Sequence, residues 1–169
     1  MEKIALIYSY NTRNTANVAK EIVKAFGKSV VVEELNAEDI DGQKFSSYNN
    51  LILGVPTWFD GELPNYWDEF VPELETLDLK GKRIAIFGLG DQVNYPENFV
   101  DGIGLMVNIC KKAGAEIVGY TDASGYTFES SAAFSGGKFC GLAIDIENQG
   151  DLNDERIESW VSQLKKEFR

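Results

Sequence analysis

The chain has 169 residues, of which 44% are hydrophobic, and it carries a formal net charge of −11 with no histidine. That is apolar material for one full core and short for two, so a single domain over residues 1–169 is expected. The acidic balance argues against nucleic acid or an anionic membrane surface as partner, and the missing histidine excludes serine–histidine catalysis.

Taken in order, the first apolar run is Lys3 to Tyr8 (KIALIY), followed by Ser9-Tyr10-Asn11-Thr12-Arg13-Asn14-Thr15, in which every side chain can donate a hydrogen bond. Val18, Ala19, Ile22, Val23 and Phe26 then recur at helical spacing up to Gly27, a glycine placed for a C-cap. Val30 to Leu35 and Leu51 to Val55 are strand-like, and Pro56 to Pro64 is a loop. Pro64 suits the first turn of a helix through Tyr66, Trp67 and Phe70, and Pro72 predicts its interruption or kinking. Arg83 to Phe87 forms the next strand, Gly88 to Asn98 a loop, and Phe99, Ile103, Met106, Val107 and Cys110 a helical face before Gly114.

Glu116 to Tyr120 predicts a fifth strand, Thr121 to Lys138 is polar and glycine-rich, and Phe139 to Ile146 is strand-like again. These segments read as one edge strand split by a long insertion, because a further independent strand would lack its crossover helix. The last helix carries Ile157, Trp160, Val161, Leu164 and Phe168 on one face, with acids at its start and lysines near its end, as the helix dipole favours. Alternating strands and helices of this kind predict an α/β fold, a doubly wound five-stranded parallel sheet. Cys110 and Cys140 form no CxxC pair and read as structural thiols. The apolar runs are too short to span a bilayer, and a cytoplasmic protein is expected.

In such a sheet, ligands bind beyond the carboxyl ends of the strands. The first loop there ends at a helix N-terminus, where free N–H groups attract an anion. By itself it fits ordinary capping and turn chemistry as well as a phosphate cradle, and it lacks the glycines and lysine of a P-loop. The other two loops at that end carry Trp58 and Tyr95, large aromatics outside the periodic core faces. Together the three loops point to a flat phosphorylated ligand.

Over its whole length the chain resembles the long-chain flavodoxins. The resemblance rests on Thr12 to Thr15, on PTW at 56–58, on GELP at 61–64, on GLGDQVNYPENF from Gly88, and on GGKFCGLAIDIENQGDLNDERIESWV near the end. It implies the strand order 2-1-3-4-5, one noncovalent FMN, and a low-potential one-electron carrier cycling mainly between semiquinone and hydroquinone, without substrate turnover. It also implies cofactor contacts at Ser9, Tyr10, Asn11, Thr12, Arg13, Asn14 and Thr15 for the phosphate. Pro56, Thr57, Phe59, Asp60, Gly61, Gly88, Leu89, Gly90, Asp91, Asn98 and Glu147 follow for the ribityl chain and ring edge, with Trp58 and Tyr95 stacking on the isoalloxazine.

Tyr10 and Arg13 stand where the family commonly has Thr or Ser and Gly: Tyr10 either withdraws one hydroxyl from the phosphate or offers its phenol at longer reach, and Arg13 reshapes the turn, brings a cation to the phosphate or, the favoured reading, stays solvated. A backbone carbonyl that reorients in the family falls here at Phe59-Asp60, a non-glycine pair for which the change costs more. Asp60, Glu62, Asp91, Glu97 and Glu147 surround the expected site, and one charge at ~10 Å with a dielectric near 20 counts on the order of 1.7 kcal/mol before screening. The implied partners are basic-surfaced redox proteins such as a flavodoxin/ferredoxin NADP reductase, met by a monomer. An FMN-dependent quinone reductase and a cofactor-free binding module are the alternatives. A response-regulator receiver domain lacks its acidic residues here, since Ser9-Tyr10 and Pro56-Thr57 occupy those places.

Overall fold

The computed structural model describes residues 1–169. Strands β1 (Ile4–Tyr8), β2 (Val32–Asn36), β3 (Asn50–Gly54), β4 (Arg83–Leu89) and β5 (Glu116–Ile117) form a parallel sheet in the order β2-β1-β3-β4-β5. Its two faces are covered by helices α1 (Asn14–Phe26), α2 (Gly42–Ser46), α3 (Asn65–Leu74), α4 (Asp101–Lys112), α5 (Ile146–Gln149) and α6 (Asn153–Glu167), of which α5 lies at the sheet's end. No helix is long and apolar enough to cross a membrane.

The strand period of two sorts the core. Ile4, Leu6 and Tyr8 of β1 pack with Val18, Ile22 and Phe26 of α1 and with Ile157, Trp160 and Leu164 of α6. Ala5 and Ile7 face the opposite layer, with Phe45 of α2, Trp67, Phe70 and Leu74 of α3, and Ile103, Met106 and Cys110 of α4. Burial on both faces is why β1 and β3 read as unbroken apolar runs and not as alternating ones.

The edge strand is split, as expected. β5 pairs with Arg83 and Ile84, and the chain then leaves the sheet at Gly119, whose φ of +81° allows the turn. The insertion carries β6 (Thr121–Asp122), β7 (Phe134–Ser135) and β8 (Lys138–Phe139), an antiparallel sheet in the order β6-β8-β7. The chain returns as β9 (Leu142–Ile144), which continues along the same side of β4 at Phe87, Gly88 and Leu89.

Several boundaries differ from expectation. The run from Phe139 to Ile146 is not one strand: Phe139 closes the small antiparallel sheet, and Ile146 opens α5. Between them Gly141 passes so close to β4 that a Cβ there would lie 2.2 Å from the Ile86 carbonyl oxygen. Tyr120 lies outside β5 for the reason given at Gly119. Pro72 does not break α3, because it falls in the last turn, where one lost N–H bond costs little continuity and the helix ends at Leu74. Helix α4 starts at Asp101 and not Phe99, since Val100 has φ +48°. Helix α2 was not foreseen; its signal is Asp41, whose side chain accepts from the Lys44 N–H at 2.7 Å as an N-cap. Both cysteines are free, and burial pushes the Cys110 thiol up to about 12.

Candidate functional site

The loop after β1 leaves its polar groups in an unusual disposition. Thr12 donates from both its N–H (3.2 Å) and its hydroxyl (2.7 Å) to the Ser9 carbonyl, and the Asn11 N–H donates to Ser9 Oγ at 3.2 Å. None of the loop's side chains caps α1. The N-cap is Arg13, at φ −91° and ψ −57°, with no side-chain cap bond and no acidic residue in the first turn. The first helical acceptor to be used is the Arg13 carbonyl, by the Asn17 N–H. The N–H groups of Arg13, Asn14, Thr15 and Ala16 therefore have no protein acceptor, and they stand at the positive end of the helix. Capping chemistry alone would have bonded at least one of them. Arg13 is right-handed, so its replacement of a glycine strains nothing.

The second loop is a tight hairpin. Trp58 and Glu62 exchange backbone bonds of 2.8 and 2.7 Å, enclosing Phe59 (φ +50°), Asp60 and Gly61 (φ +87°). Gly61 is favoured by its positive φ, and a Cβ there would also lie 2.4 Å from the Asp101 carboxylate and have to displace that side chain. A left-handed phenylalanine costs roughly 1–2 kcal/mol. The Trp58 ring stands edge-on to Tyr66, with centroids 5.9 Å apart at 86°, and Thr57 Oγ1 accepts from the Gly102 N–H at 2.9 Å.

The third loop hangs from carboxylates. Asp145, wholly buried at the start of α5, accepts from the Gln92 N–H (3.0 Å), Gln92 Nε2 (2.8 Å), the Asn148 N–H (3.0 Å) and Asn148 Nδ2 (2.9 Å). Asp91 accepts from Val93, Asn94 and Asn148. Burial would raise the Asp91 pKa, but these donors outweigh it and hold the carboxyl below its ordinary value. Tyr95, on the outer part of this loop, is 65% exposed.

The three loops meet in one cleft of about 690 Å³, a size suited to a small organic ligand. Of the expected residues, Thr12, Asn14, Thr15, Pro56, Thr57, Trp58, Phe59, Leu89, Gly90, Asp91, Tyr95, Asn98 and Glu147 line it. The others stand behind or beside the wall. Ser9 is buried beneath its loop, and Gly88 lies within β4, where a Cβ would meet the Val55 carbonyl at 2.5 Å. Tyr10 turns to β2, its hydroxyl donating to the Glu34 carbonyl at 2.9 Å, which withdraws that group from the cleft. The Asn11 amide is bonded to Glu38, Arg13 is exposed, and Asp60 and Gly61 form the hairpin tip.

Two lining residues were not foreseen. Phe99 reads as helical core in sequence, and its adjacency to Asn98 is the usable signal. Ile146 reads as strand, and an apolar residue beside Glu147 is the only hint of its place.

The chain's similarities agree with this geometry. The model of the family described as Flavodoxin matches residues 6–160. A flavodoxin of Nostoc sp. is 44% identical over 169 residues, covering 99% of this chain and 98% of its own. A flavodoxin of Synechocystis sp. is 41% identical over 165 residues, covering 98% and 97%. Among solved structures, the Fusobacterium nucleatum flavodoxin bound to flavin mononucleotide has a TM-score of 0.93 and 35% identity, with 100% of both chains covered.

Proposed function

The chain belongs to the flavodoxin family, and from that premise we propose how its cleft serves an FMN-dependent electron carrier, a protein without substrate turnover of its own. The observation that carries the proposal is that four unbonded N–H groups, from Arg13 to Ala16, stand at the end of the cleft whose other walls hold Trp58 and Tyr95. The donor set fits the cofactor: backbone N–H groups and the Thr15 hydroxyl suit phosphate oxygens, and two large rings suit a flat heterocycle. Bound there, the flavin supplies the electron chemistry.

The protein's share is positioning, shielding and electrostatics. The N-terminus of α1 holds the phosphate with neutral donors. Trp58, fixed edge-on by Tyr66, and Tyr95, on its hydrogen-bonded loop, hold the ring and exclude water from its faces. Asp60, Glu62, Asp91, Glu97 and Glu147 lie in or beside the loops that form the rim. Each disfavours further negative charge in the cleft, so potentials are held low. Screening keeps each exposed carboxylate's share small.

The same rim, on a chain of net charge −11, fits basic-surfaced redox partners such as a flavodoxin/ferredoxin NADP reductase. Exposed Phe59, Val93 and Tyr95 give such a partner apolar contact near the cleft. We place this role in the cytoplasm, carried by a monomer of one domain.

The test is titration of the apoprotein with FMN, followed by stopped-flow reduction by a basic reductase over a range of ionic strength. Stoichiometric FMN binding is expected, with a rate that falls as salt rises. Failure to bind FMN, or NADPH oxidation by the protein alone, would overturn the proposal.

A further inference from the structure

The loop that presents the four free N–H groups is itself held from behind by one side chain. Glu38, two residues past the end of β2, accepts with a single oxygen, Oε2, from Ser9 Oγ at 3.0 Å and from Asn11 Nδ2 at 2.5 Å. The Ser9 hydroxyl in turn accepts the Asn11 N–H, so carboxylate, hydroxyl and backbone form one chain of bonds. The same stretch grips the loop at two further points. The Ala37 N–H donates to the Tyr8 carbonyl at 2.9 Å, and Asn36 Oδ1 accepts from the Tyr10 and Glu38 N–H groups, each at 3.2 Å.

The loop thus has one face bonded to the chain beyond β2 and the opposite end open toward the cleft. Two features make Glu38 more than an ordinary turn residue. It pairs with no lysine or arginine, so its charge is compensated only by the loop's own donors. It also holds the Asn11 amide, so that side chain serves neither the cleft wall nor α1, whose N-cap has no side-chain bond.

Resting on the assignment of the cleft's α1 end to the FMN phosphate, we propose that Glu38 is a positioning residue for the phosphate loop. It fixes Ser9 and Asn11 behind the loop and leaves the anion to the N–H groups of residues 13–16. Glu38 touches no part of the ligand. Its effect is conformational: with the loop preorganised, binding does not have to order it, and side chains that could cap the helix intramolecularly are kept away.

Since both bonds reach one oxygen, glutamine at this position can keep both through its carbonyl, whereas alanine loses both. The experiment measures dissociation constants of FMN and of riboflavin, which lacks the phosphate, for the wild-type apoprotein and for E38A, E38Q and N11A. Apoprotein melting temperatures are recorded alongside. E38A is expected to weaken FMN about five- to tenfold while riboflavin affinity and melting temperature stay near wild type. E38Q is expected to keep wild-type discrimination or to improve it, since it removes a like charge from behind the phosphate. N11A, which loses one of the two bonds, is expected to fall between wild type and E38A. An E38A protein that binds FMN as tightly as wild type overturns the proposal, as does an equal loss for FMN and riboflavin, or a loss in E38Q matching that in E38A. Wild-type protein that binds neither flavin, or binds both equally, overturns the phosphate assignment instead.

Discussion

At one end of the cleft the contact surface is backbone: the N–H groups of Arg13, Asn14, Thr15 and Ala16, directed by the start of α1 and steadied by residues 36–38. At the other it is side chain, with a Trp58 ring backed by Tyr66 and a Tyr95 ring left 65% exposed on a loop tied to buried Asp145. The two ends are vulnerable in different ways. A donor set made of main chain survives most substitutions and fails only when the loop moves. A wall made of rings depends on the individual rings and on the polar clamp that carries one of them.

Asp145→Ala should have the largest effect. It leaves the backbone N–H and side-chain amide of buried Gln92 without their acceptor, so unfolding free energy should drop by about 3 kcal/mol. Urea denaturation of the apoprotein reads this, and a change under 1 kcal/mol would show that the loop is held by something else. Next, Trp58→Ala should weaken FMN and riboflavin alike by about 2 kcal/mol, near 30-fold, and Tyr95→Ala should do so by about 1 kcal/mol. A loss confined to FMN would mean that the rings and the phosphate end are not separate.

At the backbone end, Arg13→Gly should cost only about two- to threefold in FMN affinity at low ionic strength and nothing at high salt. A large loss that persists in salt would show that Arg13 carries the anion. The smallest effect is acidic. The Asp91 carboxyl titrates below its ordinary value in the fold, so its stabilisation is complete above about pH 4 and is lost as pH falls through that lower native value. Thermal melts from pH 6 to 3 should therefore show Asp91→Asn insensitive to a decline that wild type suffers below about pH 4. Parallel curves would show that the Asn94 and Asn148 bonds contribute nothing.

Much of this was legible in residues. Apolar runs such as IALIY and LILGV, helical spacing up to Gly27, and charges at the ends of α6 depend on local periodicity, which a chain displays before it folds. Trp58 and Tyr95 could be singled out because large rings in turns have no local reason to be there. The aromatic and phosphate loops could be joined because the carboxyl ends of parallel strands share one edge.

Three features depended on contacts distant in sequence. Phe139 closes one sheet and Ile144 completes another, because Gly141 must pass the backbone of β4. Tyr10 and Asn11 look like phosphate donors by type, but Glu34 and Glu38, more than 20 residues away, take their donors. Asp145 looks like one more rim acid, and only its burial under Gln92 and Asn148 makes it the anchor of the ring end. The sequence by itself determined the sheet, its helices and the end at which a ligand binds, since these follow from the pattern of neighbours along the chain. Tertiary structure decided which donors remain free for that ligand, because a hydrogen bond is claimed by whichever acceptor the fold brings within about 3 Å, wherever it lies in the sequence.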